Sequence, residues 1–438
     1  MDVIVVGANC GGSIAAGDLA AAGANVILLE RDLKRKKPCG GAIPPKAMSE
    51  FGIPRSIIER KVTKAAVIGP SGTTVEMDVR GSTPRKDDYI IMVTREVLDR
   101  ALRENAQTAG AELREAAFVS QEAQSDGKIR VKVRYRDERE EYLTCDALIG
   151  ADGAGSLVAK SVGRKPVKHA SAIQERIALP DDAMAEYENL AELYLGDDIS
   201  PDFYGWIFPK GDHVAVGTGC RPEHANQSYS FLEGVKRRAG DKLRGGRRIL
   251  LEGHPLPMSR NKKLVFGRVL LAGDAAGMVA HTSGEGIYFS MAAGRMAASA
   301  VRDFFGFGEK LEMYEKHWQK RYGAMFDFLE FLEEVSYTTN KRREWFTDMC
   351  RVSTVQRLTF DSYLFKDMAS VKPTDHLNLA FEGAVNAVID WWLAPKKPLA
   401  EAPPNITAKE ALIATRAAVR AGIGADEAVF ASEASSGR

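Results

Sequence analysis

The stretch Asp2-Val-Ile-Val-Val-Gly7-Ala-Asn9-Cys-Gly11-Gly12 opens the chain, and Val26-Ile-Leu-Leu-Glu30 follows it. Residues 2–6 are apolar and rich in β-branched side chains, which is typical of a buried parallel strand. The glycine-rich turn leads into an alanine-rich segment at residues 13–23, which favours a helix, and a second apolar strand ends at Glu30. This order of elements predicts one βαβ unit at the start of the chain.

The turn of this unit predicts a binding site for a dinucleotide pyrophosphate, because backbone N–H groups and a helix N-terminus meet there. The usual Gly-x-Gly-x-x-Gly pattern reads Gly7-x-Asn9-x-x-Gly12 in this chain. Asparagine tolerates a positive φ better than most residues, so the turn can form, although its side chain crowds the phosphates. Glu30 stands where an acid hydrogen-bonds the adenosine ribose.

Composition limits the classes of protein that the chain can belong to. Its 438 residues suggest two to three domains, and a net charge of +1 provides no field that favours nucleic acid. Five scattered cysteines indicate a reduced, cytoplasmic protein, and seven dispersed histidines predict no metal site. We expect neither a signal peptide, because a strand begins at residue 2, nor a transmembrane helix, because no apolar run reaches roughly 20 residues.

A second glycine turn lies far along the chain. The run Val269-Leu-Leu-Ala-Gly273-Asp274-Ala-Ala-Gly277 again reads as a strand that ends at a turn with an acid, and with the first unit it suggests FAD. We therefore predict an α/β fold with a discontinuous Rossmann-type domain and an inserted domain. The predicted parts are an FAD-binding domain at 1–62, 94–170 and 264–305, an antiparallel-sheet substrate domain at 63–93 and 171–263, a helical C-terminal region at 306–395 and a loosely held tail at 396–438.

Longer motifs resemble a known family. Gly150-Ala-Asp152-Gly153 and Gly273-Asp274 occur in many flavoproteins of the aromatic-hydroxylase (GR2) fold, whereas Lys37-Pro-Cys39-Gly40-Gly41-Ala42-Ile43-Pro44 and Tyr204-Gly-Trp206-Ile-Phe208-Pro209-Lys210 are more specific. With Ser283-Gly284-Glu285-Gly286-Ile287-Tyr288, they resemble the FAD-dependent geranylgeranyl reductases, in particular the branch of chlorophyll and bacteriochlorophyll synthesis. The resemblance covers about residues 1–390.

The resemblance implies a set of cofactor contacts. The flavin would lie against the Cys39–Ala42 loop, and the ends of the cofactor would be held by backbone and charged groups. The implied cofactor-binding residues are Gly7, Asn9, Gly11 and Gly12 at the turn that holds the pyrophosphate, Glu30 at the ribose and Arg31 next to it, Cys39, Gly40 and Ala42 at the flavin, Arg95 at the phosphates or ribityl chain, Val119 at the adenine, Asp274 at the ribityl hydroxyls, and Gly286 and Ile287 at the flavin pyrimidine edge.

Simpler interpretations of the charged residues stay open. Arg95 can serve as a helix-face ion pair, Asp274 as a helix N-cap and Asp152 as a turn residue. We expect Glu285 to be exposed. Each of these alternatives depends on packing that a sequence pattern does not show.

The implied substrate is an isolated trisubstituted alkene, and this determines the candidate catalytic residues. No neighbouring carbonyl can hold negative charge, so protonation followed by hydride delivery is the plausible order. Tyr204 and Trp206 could stabilise the cation through their aromatic faces, and Tyr204 is also a possible acid. Cys39 could touch the flavin, donate a proton or fill space. For Phe208 we favour a core-filling role.

The resemblance also implies partners and an electron donor. No second βαβ motif appears, so NADPH from a surface site and reduced ferredoxin are both possible donors. The implied substrates are a prenylated pigment or a prenyl diphosphate, and chlorophyll synthase is an implied partner. Trp391 and Trp392 beside Lys396 and Lys397 suggest peripheral contact with the photosynthetic membrane. Residues 326–332 read as a core-packing helix.

Three competing functions remain at this level. The first is a reductase of prenyl ether lipids, which shares much of the pattern. The second is a flavin monooxygenase or halogenase, because Trp206-Ile-Phe-Pro209 resembles the halogenase Trp-x-Trp-x-Ile-Pro motif with Tyr204 in place of the first Trp. The third is a non-catalytic prenyl-binding protein of the same architecture, which the retained Asp274 and Gly286-Ile287 turn disfavour.

Overall fold

The computed structural model describes residues 1–80, 88–165, 167–258, 260–280 and 282–366. Its strands, in chain order, are β1 (Asp2–Val6), β2 (Asn25–Glu30), β3 (Ala42–Ile43), β4 (Arg60–Val62), β5 (Lys64–Ile68), β6 (Thr74–Asp78), β7 (Ile90–Met92), β8 (Glu112–Ala123), β9 (Ile129–Tyr135), β10 (Glu140–Cys145), β11 (Ala147–Gly150), β12 (His169–Ala178), β13 (Leu190–Gly196), β14 (Ser200–Pro209), β15 (Val214–Cys220), β16 (Arg247–Pro257), β17 (Val265–Phe266) and β18 (Val269–Leu271).

The first six α-helices lie between groups of one to four strands, and the last four follow one another at the end of the described chain. They are α1 (Cys10–Ala21), α2 (Lys46–Phe51), α3 (Arg95–Thr108), α4 (Leu157–Ser161), α5 (Asp181–Glu186), α6 (Ser228–Ala239), α7 (Ile287–Phe307), α8 (Met313–Ser336), α9 (Asn340–Met349) and α10 (Ser353–Phe365).

The first sheet has eight strands in the order β10-β9-β8-β2-β1-β11-β18-β17. The strands from β8 to β18 run parallel, with β1 at their centre between β2 and β11. Because their carboxyl ends share one edge, the turn after β1, Glu30 at the end of β2 and Gly273 after β18 lie at the same edge. This is the edge at which parallel sheets bind ligands.

Helices α1 and α7 pack so closely beside this sheet that only glycine fits between them. A Cβ atom on Gly294 of α7 would lie 2.1 Å from the backbone oxygen of Gly11 in α1. Glycine permits such an approach because it has no side chain. The contact brings the N-terminus of α7 beside the glycine turn that precedes α1.

The second sheet has seven strands in the order β16-β12-β15-β14-β13-β5-β6 and is antiparallel except where β13 pairs with β5. Side chains alternate between its faces. Ile207 of β14 packs with Leu232 and Val235 of α6 on one face, whereas Trp206 packs in a different apolar cluster on the other face. A short sheet, β3-β7-β4, lies at the connections between the two large sheets.

Helices α8–α10 form the C-terminal part of the described chain. The predicted fold class, an α/β nucleotide-binding fold with an antiparallel-sheet region and C-terminal helices, is confirmed. In α8, Phe326 is buried as expected, whereas Phe328 is exposed. No helix in the described ranges is long and apolar enough to cross a bilayer. The segment with Trp391 and Trp392 and the tail at 396–438 lie outside the described residues.

Candidate active site

A single cavity of about 1530 Å³ joins the edge of the parallel sheet to the second sheet and the C-terminal helices. This volume exceeds the roughly 300–1,000 Å³ of common ligand pockets, so one ligand of ordinary size does not fill it. Its nucleotide-side wall comes from the turn after β1, Glu30, the Cys39 loop, Asp274 and the start of α7. Residues that are distant in sequence therefore meet in one space.

The turn after β1 presents the N-terminus of α1 to the cavity. Gly7 has φ +98°, and a Cβ there would lie 2.4 Å from the oxygen of Ala151, so the position requires glycine. Asn9 precedes α1 but makes no side-chain capping hydrogen bond, which leaves the first-turn N–H groups without that acceptor. Such an N-terminus suits an anionic group of a ligand.

Two expectations for this turn need correction. Asn9 adopts an extended conformation with φ −105°, so the turn does not use the tolerance of asparagine for positive φ. Gly7, Asn9 and Gly11 line the cavity, but Gly12 does not. A Cβ on Gly12 would lie 1.8 Å from the oxygen of Gly7, so Gly12 permits the close packing of turn and helix.

Glu30 and Arg31 also line the cavity, where the sequence places the ribose. The carboxylate of Glu30 is buried and accepts a hydrogen bond of 2.9 Å from the N–H of Ala8. Glu30 therefore also holds the glycine turn against the end of β2. Val119 is absent from the described cavity wall, which reaches Ala116, Ala117 and Phe118 of the same strand.

Asp274 is buried at the centre of the nucleotide side and forms an ion pair with Lys37, whose Nζ lies 2.7 Å from its Oδ2. His254 approaches the same oxygen at 3.9 Å. Burial by itself raises the pKa of Asp274, but the charge of Lys37 and the contact with His254 outweigh it and hold that pKa far below its usual range. Asp274 is therefore a fixed anion at neutral pH.

The start of α7 lies beside this carboxylate. A Cβ on Gly286 would be 3.3 Å from Oδ1 of Asp274, and Ile287 is the first residue of the helix. Gly286 and Ile287 both line the cavity. The structure thus brings together the residue predicted for the ribityl chain and the two predicted for the pyrimidine edge of the same flavin.

Arg95 and Asp152 show the contacts that the simpler interpretations predicted. Arg95 is buried, and its guanidinium donates to Asp99 one turn later at 2.8 Å, yet it still lines the cavity. Asp152 accepts from the hydroxyl of Ser156 and from the N–H of Leu157 at 2.7 Å, so it caps α4. Both residues therefore have partners within the protein.

The Cys39 loop packs against the aromatic side chains of β14. Cys39 is half-buried on the cavity wall, and the N–H of Gly41 donates to its Sγ at 3.4 Å. A Cβ on Gly40 would lie 2.9 Å from Cδ2 of Phe208 and 3.4 Å from Nε1 of Trp206. This contact corrects the expectation for Phe208, which forms part of the cavity wall rather than only filling a core.

Tyr204, Trp206 and Phe208 share one face of β14 because side chains alternate along a strand. The Trp206 ring lies 6.0 Å from Tyr204 and 6.3 Å from Phe208, and Tyr204 lies 6.4 Å from Tyr337 of the C-terminal region. Nε1 of Trp206 is buried without a hydrogen-bond partner among the described residues. The aromatic row runs from the Cys39 loop to the C-terminal helices.

The hydroxyl of Tyr204 donates to the backbone oxygen of Ser283 at 2.6 Å. Burial, with the nearby charge of Glu285, raises the pKa of Tyr204 above its usual value. Its proton is therefore engaged in a bond between β14 and the turn before α7. This position makes Tyr204 a weaker candidate acid than the sequence suggested.

Glu285 and Lys366 form a buried ion pair on the cavity wall, so the expectation that Glu285 is exposed is wrong. Oε1 of Glu285 is buried without a hydrogen-bond partner in the described chain. Burial raises the pKa of Glu285, while Lys366 opposes that shift. Lys366 has φ +52° after α10, a conformation that costs a non-glycine residue on the order of 1 kcal/mol.

The far side of the cavity is apolar. Small and aliphatic residues of the seven-stranded sheet face mostly aromatic residues of α8–α10 and the connections between them. The sheet contributes Ala65, Val67, Met77, Ala191, Leu193 and Leu195, and the helical region contributes Tyr337, Trp345, Phe346, Met349, Phe360 and Tyr363. This half suits a long hydrocarbon chain.

The nucleotide side fits FAD on several independent observations. The glycine turn leaves backbone N–H groups of α1 available, Gly286 keeps the start of α7 free of side-chain bulk, and Arg31, Arg35 and Lys37 line the wall near these groups. Asp274 supplies a permanent acceptor for hydroxyl groups. The fold and this site define a flavoprotein of the α/β nucleotide-binding class.

Comparison with known proteins identifies the family. Residues 1–184 match the model of the FAD binding domain, and residues 169–248 match that of the geranylgeranyl reductase catalytic domain. The chain is 44% identical to the geranylgeranyl diphosphate reductase of Oryza sativa, over 86% of this chain and 84% of the relative. It is 43% identical to that of Synechocystis, over 85% of this chain and 94% of the relative. The chain belongs to the geranylgeranyl reductase family and is an FAD-dependent reductase.

A solved structure agrees with the fold. The geranylgeranyl bacteriochlorophyll reductase-like protein of Thermoplasma acidophilum superposes with a TM-score of 0.70 at 21% identity, covering 89% of this chain and 98% of that protein. At this identity the comparison supports the arrangement of the sheets and helices alone.

Proposed function

We propose that this protein hydrogenates isolated C=C bonds of a geranylgeranyl chain, carried by chlorophyll or bacteriochlorophyll or by a diphosphate, to give the phytyl form. The observation that carries this proposal is the continuous cavity, which runs from a flavin-type nucleotide site to an apolar space lined by α8–α10. A long prenyl chain needs the apolar side, and its reacting bond must reach the flavin side.

Bound FAD would supply the hydride, and the protein would supply the dry wall and the proton. We infer that Trp206 and Tyr204 face the reacting bond, because they stand between the Cys39 loop and the apolar half of the cavity. Their ring faces would stabilise a tertiary cation. Cys39 would contact the flavin as part of the loop.

Glu285 is the acid that we favour as the proton donor. It lies on the cavity wall beside Gly286, burial raises its pKa, and one of its oxygens has no hydrogen-bond partner in the described chain. The hydroxyl of Tyr204 instead donates to Ser283. The protonated carboxyl would transfer its proton to the less substituted alkene carbon, and the hydride would go to the tertiary carbon.

The assay is mass spectrometry of geranylgeranyl-esterified chlorophyll or bacteriochlorophyll after anaerobic incubation with the protein, FAD and NADPH. Stepwise gain of hydrogen pairs on the tail, with the ring intact, is the expected result. An unchanged pigment would reject it as the substrate, and geranylgeranyl diphosphate assayed in parallel would test the other form. Replacing NADPH with reduced ferredoxin would test the second donor.

The competing functions give different results in the same samples. A prenyl ether lipid reductase would reduce a digeranylgeranyl lipid in preference to either substrate. A monooxygenase or halogenase would couple product to oxygen consumption or to halide. A non-catalytic prenyl-binding protein would purify without the yellow colour of a flavin.

We also propose that the protein works at the photosynthetic membrane as a peripheral component and passes its substrate or product to chlorophyll synthase. The support is chemical, since a pigment with a prenyl tail partitions into a bilayer. Sedimentation with liposomes that contain geranylgeranyl-chlorophyll tests this contact. Protein that stays in the supernatant at all lipid concentrations would reject it.

A further inference from the structure

Three hydrogen-bond donors bind the Cys39 loop, one to each of three successive backbone carbonyl groups. The side-chain amide of Gln174 donates to the oxygen of Cys39 at 3.1 Å. The ammonium of Lys210 donates to the oxygen of Gly40 at 2.7 Å, and the N–H of Val93 donates to the oxygen of Gly41 at 3.0 Å. Three different elements therefore fix one short loop.

Lys210 is the unusual member of this set because it is a buried cation. Its side chain is only 2% exposed, and it follows Phe208 on the face of β14 that carries the aromatic row. Besides Gly40, its ammonium contacts the oxygen of Pro209 at 3.4 Å and the sulfur of Met92 at 3.8 Å. None of these three partners is a carboxylate, so the charge lacks the pairing that buried charges usually need.

Lys210 also packs directly against the loop. A Cβ on Gly41 would lie 3.0 Å from Cε of Lys210, and Gly41 has φ +67°. Gly40 and Gly41 line the described cavity, whereas Lys210 does not, and its ammonium reaches the Gly40 carbonyl of that lining. A cation in this position can act on a bound ligand through the Cys39–Gly41 backbone.

We propose that Lys210 is a positioning residue of the reductase site, which sets the flavin-facing conformation of the Cys39-Gly40-Gly41 turn through its bond to the Gly40 carbonyl. This inference rests on the proposed function only in that FAD occupies the nucleotide side of the cavity. It does not depend on which prenyl substrate the protein uses.

The protonation of Lys210 should make this position sensitive to pH. Burial lowers the pKa of Lys210 to about 7, Cys39 and Glu59 favour the ammonium, and Arg176 and Arg60 oppose it. On the turn after β14, Asp212 lies 2.7 Å from His213, so these groups pair with each other. A neutral amine still donates to Gly40, but it loses the charge-assisted part of that bond.

Two consequences of deprotonation have opposite signs. FAD affinity should fall as the pH rises through about 7, because the loop is held less firmly. The free energy of unfolding of the protein without FAD should instead rise with pH between about 7 and the pKa of lysine in the unfolded chain. In that range the unfolded chain binds more protons at Lys210 than the folded protein does. A lysine that only stabilised the fold would not make FAD affinity and stability change in opposite directions with pH.

The experiment measures FAD affinity and the fluorescence of bound flavin in the full-length protein and three variants, over roughly pH 6 to 9, which brackets the lowered pKa of Lys210. Wild type should show a transition near pH 7. Lys210→Met should show none and bind FAD roughly tenfold more weakly at low pH. Lys210→Arg, which stays charged, should also lack the transition. Gln174→Met removes a neutral donor from the same loop and should keep it.

A transition that persists in Lys210→Met or Lys210→Arg, or that is missing in wild type, would overturn the inference. If Lys210→Met does not fold, the arginine variant still decides the outcome. Failure of wild type to reduce any prenyl substrate, with the flavin transition intact, would count against the proposed function and leave the role of Lys210 standing.

Discussion

The ammonium of Lys37 lies 2.7 Å from Oδ2 of Asp274, and 237 positions of sequence separate the two residues. The pair joins the Cys39 loop to the turn after β18, which are the two segments proposed to enclose the flavin. Because both side chains are largely buried, neither can lose its partner without leaving an uncompensated charge in the site.

Asp274→Asn should weaken FAD binding about tenfold or more, because it removes a charged acceptor and leaves Lys37 unpaired. The pKa of Asp274 in the folded protein lies well below its usual range. The contribution of its negative charge is therefore fully present above the pKa of an unfolded aspartate, and it is lost only as the pH falls through the lowered pKa of the folded protein. The contribution of this pair to wild-type binding should therefore not change down to about pH 5. Flavin fluorescence titration measures both effects. Asp303→Asn, at the other end of α7, is the control, and unchanged affinity in Asp274→Asn would exclude the assigned role.

Trp206 can be tested without disturbing a hydrogen bond, because its Nε1 has no partner among the described residues. Trp206→Phe keeps an aromatic face and should keep turnover within a few-fold, whereas Trp206→Leu should slow it more than roughly tenfold. Both variants should retain FAD. Prenyl reduction under anaerobic single-turnover conditions gives the rates, and equal rates in the two variants would remove the argument for cation stabilisation.

Gly40→Ala should disturb the contact between the Cys39 loop and β14, since its Cβ would lie 2.9 Å from Cδ2 of Phe208. We expect lower turnover and weaker FAD binding. Gly211→Ala places the same methyl group in open space and should be neutral. Adding Phe208→Leu to Gly40→Ala should recover part of the loss, because it removes the clashing ring. If the double variant is no better than Gly40→Ala, the clash is not the cause.

Glu285→Gln should abolish the limb of the kcat profile that falls with rising pH. If Glu285 is the acid, it acts when protonated, so activity declines as the pH passes its raised pKa. Lys366→Met removes the opposing cation and should move that limb to higher pH. The profile is measured at saturating FAD so that changes in cofactor binding do not contribute.

Glu192→Gln provides the matched control for Glu285→Gln. Glu192 is fully buried, pairs with Lys242, and is bound by the hydroxyls of Tyr187 and Tyr194 on the α6 side of the second sheet. This variant should lower stability and keep the wild-type pH profile. A wild-type profile and rate in Glu285→Gln would eliminate Glu285 as the proton donor.

The sequence was informative where chemistry imposes a local pattern. The apolar strand, glycine turn and Glu30 predicted the first βαβ unit, and the acid after β18 predicted Asp274 at the same edge. Parallel strands place their carboxyl ends together, so a local pattern also carried information about distant contacts.

The sequence was uninformative where a contact joins two distant segments, because such a contact leaves no periodic pattern of residues in either segment. Lys210 was recognised only as the last residue of the motif that begins at Tyr204, and no role was predicted for it. Its position two residues after Phe208 nevertheless places it on the same side as the aromatic row of β14. Glu285 looked exposed because its counter-ion, Lys366, lies directly after α10, 81 positions later in the chain. The conformation of Asn9 was misjudged because the turn takes its positive φ at Gly7.

The pairing of Lys366 with Glu285 makes the last turn of α10 part of the acid–base chemistry. Since Lys366 lies in a left-handed conformation directly after α10 and forms this pair, the position of the end of α10 and the proton affinity of Glu285 are linked equilibria. Any movement that takes Lys366 away from Glu285 would remove the charge that opposes burial and would raise the proton affinity of that carboxyl. The end of α10 is thereby a structural determinant of how readily the site gives up a proton.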